Sequence, residues 1–216
     1  MHLERLRCYL SGGRPPGATR DYPGCRDGRP PAGSVPLVLP GRLYFATESP
    51  VWTGGRAFYD PAARGELWAR AHLVTTGQFS DIAAQEMYRE PGDDLDLREV
   101  LTHGRAALGP GRYETLVCPG LLDGTPVLTF TAPWRLTEAA LNPPSAAYLQ
   151  HLGAGLGEAG AWRPPAIAAY LARSPGAADH WTEAGVTALV DPGRAPGRPG
   201  RRSRPGHRAG PPAGAG

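Results

Sequence analysis

The sequence contains no lysine, and all 23 of its basic residues are arginine. A chain without lysine cannot form the lysine-containing phosphate loop of nucleotide-binding proteins. Neither a G-x-S-x-G nucleophile elbow nor an H-E-x-x-H metalloprotease motif is present. The three cysteines, Cys8, Cys25 and Cys118, lack the paired spacing of a disulfide framework or a zinc site. These absences argue against several common classes of nucleotide-binding and hydrolytic enzyme.

Long hydrophobic runs are also absent. No stretch approaches the roughly 18 consecutive apolar residues of a membrane span, and the first residues lack the apolar core of a signal peptide. We therefore expect a cytoplasmic protein that does not bind membranes. The net charge of +3 comes from residues 191–216, which hold six arginines and one aspartate. Because this tail has no aromatic residues on which bases could stack, we expect no specific nucleic-acid binding.

The composition divides the chain into three parts. Residues 1–34 combine a helix-like segment with a loop rich in glycine and proline, and residues 191–216 form a tail that we expect to be disordered. Between them, residues 35–190 carry enough apolar residues for one domain. Short apolar runs separated by turn residues predict strands from Leu37 to Thr76.

Helices and strands alternate irregularly in the rest of that domain. Thr75 and Gln78 form a capping-box pattern that predicts a helix to about Tyr88. The other predicted elements are a helix within residues 96–107, strands over 113–118 and 125–131, and helices starting near Ser145 and over 167–172. We therefore predict an α+β fold with a mostly antiparallel sheet or barrel and flanking helices.

Glu86 occupies an unusual position in the predicted helix after Thr75. Phe79, Ile82, Ala83 and Glu86 are spaced at i, i+3, i+4 and i+7, which places the carboxylate on the apolar stripe. Partial burial would raise its pKa toward neutrality, where it could accept and return a proton. Alternatively, Glu86 ends the stripe and turns to solvent, where Arg70 or Arg89 could pair with it.

Four sequence blocks carry a family resemblance. They are W-T-G-G-R-A at 52–57, G-E-L-W-A-R-A-H-L-V-T at 65–75, I-A-A-Q-E at 82–86 and P-S-A-A-Y-L at 144–149. In this order, the blocks resemble those of the γ-glutamylcyclotransferase-like family. The resemblance implies that Glu86 is the general acid/base and that Tyr148 helps to hold substrate. It also places Trp52, Gly54 and Gly55 at the substrate site, although these three could equally form a structural strand turn, and Tyr148 could be a core residue.

The reaction implied by the resemblance is an intramolecular aminolysis. A γ-glutamyl amide or amine conjugate would attack its own carbonyl and release 5-oxoproline, as in a lyase or transferase that needs no metal and no cofactor. The sequence departs from the family at Ala83 and Met87 and lacks its Y-G-S-N loop, so we expect an N-terminally truncated member. Two alternatives remain open: a non-catalytic small-molecule-binding member of the same fold, and an unrelated amide hydrolase or deacylase.

Overall fold

The computed structural model describes residues 2–15 and 21–193. The described residues form six α-helices: α1 (Leu3–Ser11), α2 (Thr76–Glu86), α3 (Arg98–His103), α4 (Ala146–Ala159), α5 (Pro164–Ala172) and α6 (Glu183–Val190). None of these helices is long and apolar enough to span a membrane. Most of the predicted tail, residues 194–216, lies outside the described residues.

In the part of the chain that the structure describes, seven strands form three small antiparallel sheets. The strands are β1 (Gly33–Pro40), β2 (Arg42–Ala46), β3 (Arg56–Asp60), β4 (Glu66–Leu73), β5 (Arg105–Ala107), β6 (Thr115–Leu122) and β7 (Thr125–Thr131). β1 pairs with β4, β2 pairs with β3, and the third sheet has the order β5-β6-β7. The α+β class is therefore confirmed, but the sheets of the described residues do not close into the barrel that we considered.

Local sequence signals account for most element boundaries. Thr75 caps α2 because its hydroxyl accepts a hydrogen bond from the backbone N–H of Gln78, and the side-chain Oε1 of Gln78 accepts one from the backbone N–H of Thr75, so the predicted capping box is present. The predicted helix within 96–107 is partly wrong, because Gly104 adopts φ 75° and ends α3. The chain then enters β5, and helix α6 was not predicted at all.

Two of the five apolar clusters among the described residues position the helices around Glu86 and Tyr148. In the larger one, Leu43 and Phe45 of β2 pack against α4, α5 and α6 through Leu149, Leu171 and Val186. A second cluster joins α1 to α2 and contains Leu6, Tyr9, Leu10, Tyr22 and Ile82. This second cluster fixes α1 beside the C-terminal turn of α2, where Glu86 lies.

Candidate functional site

Glu86 is the last residue of α2, and its carboxylate accepts a short hydrogen bond from the hydroxyl of Tyr9. Surrounding protein desolvates the carboxylate, although the residue as a whole keeps partial exposure. Burial raises the pKa of Glu86, and the nearby charge of Arg5 opposes this shift. A carboxyl group of this kind can exchange protons while remaining open to solvent.

The alternative in which Glu86 pairs with a surface arginine is not what the structure shows. The guanidinium of Arg89 pairs with Glu114 instead. The guanidinium of Arg70 has Glu158 as its nearest carboxylate, with Nη1 and Oε2 3.8 Å apart. Within the described ranges, Glu86 therefore has no direct cationic partner, and its recorded side-chain bond is to a neutral hydroxyl.

Arg5, Tyr9 and Tyr22 form an arginine-tyrosine cluster around the hydroxyl of Tyr9. Arg5 Nη2 donates to the hydroxyl of Tyr22 at 2.7 Å and to that of Tyr9 at 3.3 Å. The two hydroxyls are 3.0 Å apart, and the Arg5 guanidinium lies 5.6 Å from each ring centroid. The positive charge of Arg5 thus reaches Glu86 through the Tyr9 hydroxyl, and it does not form a salt bridge with the carboxylate.

Two more tyrosines approach Glu86 from the strand side. Tyr113 donates its hydroxyl proton to the carbonyl of Ala57, and the hydroxyl of Tyr148 accepts a bond from the Ala57 N–H, both at 3.3 Å. Burial raises the pKa of both phenols, and the charge of Glu86 adds to each shift. Tyr148 is therefore a partly buried residue with a backbone-bonded hydroxyl within electrostatic range of Glu86, and its role in holding substrate stays a prediction.

Arg56, at the start of β3, supplies a second positive charge. Its residue is only 7% exposed, and its Nη1 is buried without a hydrogen-bond partner among the described residues. The charge of Arg56 lowers the pKa of Tyr113 and Tyr148 slightly against the larger effect of burial. Because an unpaired buried donor is costly, this guanidinium nitrogen is a natural contact for a bound acceptor oxygen.

The other predicted site residues, Trp52, Gly54 and Gly55, lie beside Tyr148 or the segment at 142–145. Trp52 stacks on Tyr148 with ring centroids 5.3 Å apart, and its ring centroid is 5.0 Å from that of His151. A Cβ on Gly54 would lie 2.6 Å from the carbonyl oxygen of Pro143, and one on Gly55 would lie 2.0 Å from that of Asn142. Both glycines thus permit close backbone packing, and their role in substrate binding stays a prediction.

Sequence reasoning missed five residues of this site: Arg5, Tyr9, Tyr22, Arg56 and Tyr113. The spacing of Arg5 and Tyr9 at i and i+4 places both on one face of α1, which was a usable signal. No comparable signal linked that face to Glu86, because the contact joins residues 77 positions apart.

Among the described residues, no group of three or more His, Cys, Asp or Glu side chains could hold a metal ion.

Comparison with known proteins gives one informative relative. No family model matches the chain, and no solved structure gives a significant match. A curated protein named histone deacetylase 5, from Arabidopsis thaliana, is 31% identical over 191 residues. The aligned region covers 79% of this chain but only 29% of the length of that relative.

This comparison corrects the predicted activity. The name of the relative indicates deacetylation, in which water cleaves an amide, and not a cyclotransferase reaction in which a substrate attacks its own carbonyl. By this finding, the prediction of a γ-glutamylcyclotransferase-type lyase or transferase that releases 5-oxoproline is wrong. The resemblance of the four sequence blocks to that family stays a prediction.

Proposed function

We propose that this chain hydrolyses the amide of an acylated amine, with Glu86 as general acid/base. The observation that carries the proposal is a partly accessible carboxyl group whose pKa is raised by burial and which lies within electrostatic range of Tyr113 and Tyr148. The charge of Arg56 acts on the same two tyrosines, and its buried Nη1 has no hydrogen-bond partner among the described residues. The relative named histone deacetylase 5 supports the same reaction class, since deacetylation is amide hydrolysis.

The reaction uses water as the nucleophile. Ionised Glu86 takes a proton from a water molecule, whose oxygen forms a bond to the acyl carbonyl carbon. The carbonyl oxygen becomes an oxyanion, and its candidate donor is the buried Nη1 of Arg56, which has no hydrogen-bond partner among the described residues. Glu86 then gives its proton to the amine nitrogen, the carbon-nitrogen bond breaks, and a carboxylic acid and an amine are released.

Tyr9 and Arg5 set the protonation state of Glu86 in this scheme. Burial favours the protonated carboxyl, whereas the hydroxyl of Tyr9 and the charge of Arg5 favour the carboxylate. Glu86 must be ionised to accept the first proton and must then be acidic enough to give that proton to the amine. The opposing effects of burial and of the Tyr9 and Arg5 groups on its pKa meet both needs.

The test is release of free amine from a peptide that contains Nε-acetyl-lysine, measured by mass spectrometry with the full chain. Glu86→Gln should reduce the rate at least about 100-fold, the usual scale for loss of an acid/base group. Glu90→Gln is the matched control, because Glu90 is exposed four residues further along the chain. Equal rates for the Glu86 variant and the parent chain would contradict the assignment.

A second candidate is a non-catalytic domain that binds acylated amines. It is favoured by the small share of the relative that this chain covers, because the activity that names the relative could reside in its other 71%. Calorimetric binding of the acetylated peptide, without amine release by the parent chain, would support this candidate. If the chain neither binds the peptide nor releases amine from it, both candidates are excluded for this peptide.

A further inference from the structure

Two strand edges face a common cleft. β4 is hydrogen-bonded to β1 on one side and β7 to β6 on one side, and the two sheets are separate. Residues 67–74 and 125–130 both line a cavity of about 620 Å³, which we call the β4–β7 cleft. Leu67 of β4 and Val127 of β7 pack on the same buried cluster around Leu39. Glu86 does not line this cleft, so the cleft is distinct from the proposed catalytic site.

The backbone of β4 points hydrogen-bonding groups toward the cleft. Pro36 of β1 has no N–H and lies opposite Arg70, so this pair is one of the non-hydrogen-bonded pairs of the antiparallel ladder. The N–H and C=O of Arg70 therefore point to the free edge of β4, and those of His72, two residues on, do the same. Trp68 lies two residues before Arg70 and so has the same orientation in the strand. Its N–H donates to the hydroxyl of Tyr170 at 3.1 Å, on the side of β4 away from β1, which supports this orientation.

The same reasoning applies to β7. Pro126 lies opposite Leu121, and it cannot donate to β6. Leu128 and Phe130 follow Pro126 at intervals of two residues, so their N–H and C=O groups point to the free edge that borders the cleft. Two opposed rows of backbone donors and acceptors, with apolar side chains between them, are what an added β-strand needs.

The outer edge of β1 provides a contrast within the same sheet. Pro36 and Pro40 remove two of its outward N–H groups, which is a common protection against further strand pairing. β4 has no proline, and its free edge is bordered by the cleft. Strand addition is thus obstructed on one side of this sheet and left open on the other.

Two buried polar atoms in the cleft lack hydrogen-bond partners among the residues that the structure describes. They are Nη1 of Arg70 and Nε2 of His72, and both residues line the cavity. Arg70 forms an ion pair with Glu158, but Nη1 and Oε2 are 3.8 Å apart, which is too far for a hydrogen bond, and this Oε2 accepts from the Leu3 N–H at 2.9 Å. A positive charge beside an apolar cleft complements an occupant that carries a carboxylate.

We propose that the β4–β7 cleft binds an extended peptide of a partner protein as an added strand, with apolar side chains facing the cluster around Leu39 and an acidic side chain facing Arg70. The main-chain bonds would come from the outward groups of Arg70, His72, Leu128 and Phe130. Alternating apolar residues would fill the cleft, and one Glu or Asp would set the register.

The probe is the peptide acetyl-Val-Thr-Val-Glu-Val-Thr-Val-amide, titrated into the full chain by calorimetry and followed by hydrogen-deuterium exchange. We expect slower exchange in segments 66–73 and 125–131. Leu128→Pro should weaken binding at least tenfold, because it removes an outward N–H without breaking a bond to β6. Val38→Pro is the matched control, since it changes the outward edge of β1 and Val38 does not line the cleft.

Two further measurements do not depend on how well a proline variant folds. Methylation of alternate peptide nitrogens on the edge facing β7 should abolish binding to the parent chain, and replacing the peptide Glu by Lys should weaken it several-fold. Arg70→Gln should remove that preference for Glu. Protection of other segments, equal binding by the methylated peptide, or self-association of the chain without peptide binding would overturn the proposal.

Discussion

Asp81 and Glu86 lie on the same helix, five residues apart, and their surroundings differ completely. Asp81 is 1% exposed and accepts bonds from both the backbone N–H and the guanidinium Nε of Arg26, at 2.8 and 3.0 Å. Glu86 accepts one recorded side-chain bond, from the uncharged hydroxyl of Tyr9. One carboxylate is saturated by a cation and by backbone, whereas the other is buried without a direct charge partner.

The difference separates a structural acid from a reactive one. Gln78, Asp81 and Gln85 form one face of α2, and they hold the segment at residues 24–29 through bonds to its backbone. The opposite stripe ends at Glu86, where burial raises the pKa. A carboxylate that is fixed by several strong bonds has little tendency to move a proton, while a desolvated one with a single neutral donor can.

The largest effect that we expect on stability comes from breaking the Asp81 contacts. Asp81→Ala should lower the free energy of unfolding by about 2–3 kcal/mol, because it leaves the Arg26 N–H without its acceptor and removes charged hydrogen bonds. Urea denaturation measures this change. Asp96→Ala is the control, since the side chains of Asp96 and Arg98 are 59% and 91% exposed, and such pairs contribute at most about 1 kcal/mol. Equal losses for the two variants would remove the distinction between the acids.

A smaller effect concerns the pH dependence of stability. Because the pKa of Glu86 is higher in the folded chain than in the unfolded one, the folded chain binds more protons between these two values. The contribution of Glu86 is fully present below the unfolded pKa and is lost as pH rises through the folded pKa, by about 1.4 kcal/mol for each unit between them.

Comparison with an isosteric variant isolates that contribution. Glu86→Gln has no proton to lose, so the difference in unfolding free energy between this variant and the parent chain should shift in favour of the variant as pH rises from 4 to 8. If the unfolding free energies of the two chains change in parallel with pH, the pKa of Glu86 is the same in the folded and the unfolded state, which contradicts this prediction.

The sequence revealed one acid of this pair and not the other. Spacing on an apolar stripe identified Glu86, and the capping residues fixed the start of α2 on which both acids lie. Asp81 was missed because its partner Arg26 lies in a loop 55 residues away, for which no periodic pattern exists. The predicted barrel does not form among the described residues for a similar reason, since pairing between distant strands depends on tertiary contacts that local propensity does not encode. Gly104 shows a different failure, because the prediction of a helix within 96–107 ran past a glycine, and a glycine is a common helix-end residue that here ends α3 with φ 75°.

The smallest effect concerns the one bond that Glu86 accepts from Tyr9. Tyr9→Phe removes the hydroxyl that favours the carboxylate, so the pKa of Glu86 should rise further and the midpoint of the pH-rate profile should move to higher pH. A hydrogen bond from a hydroxyl to a carboxylate is worth about 1.5 kcal/mol at the least, so amine release at neutral pH should fall by at least about tenfold. Tyr22→Phe is the control, because it leaves the bond between Tyr9 and Glu86 in place and should leave the midpoint unchanged. An equal shift for both variants would mean that Arg5 acts on Glu86 through the whole cluster and that the Tyr9 hydroxyl has no separate role.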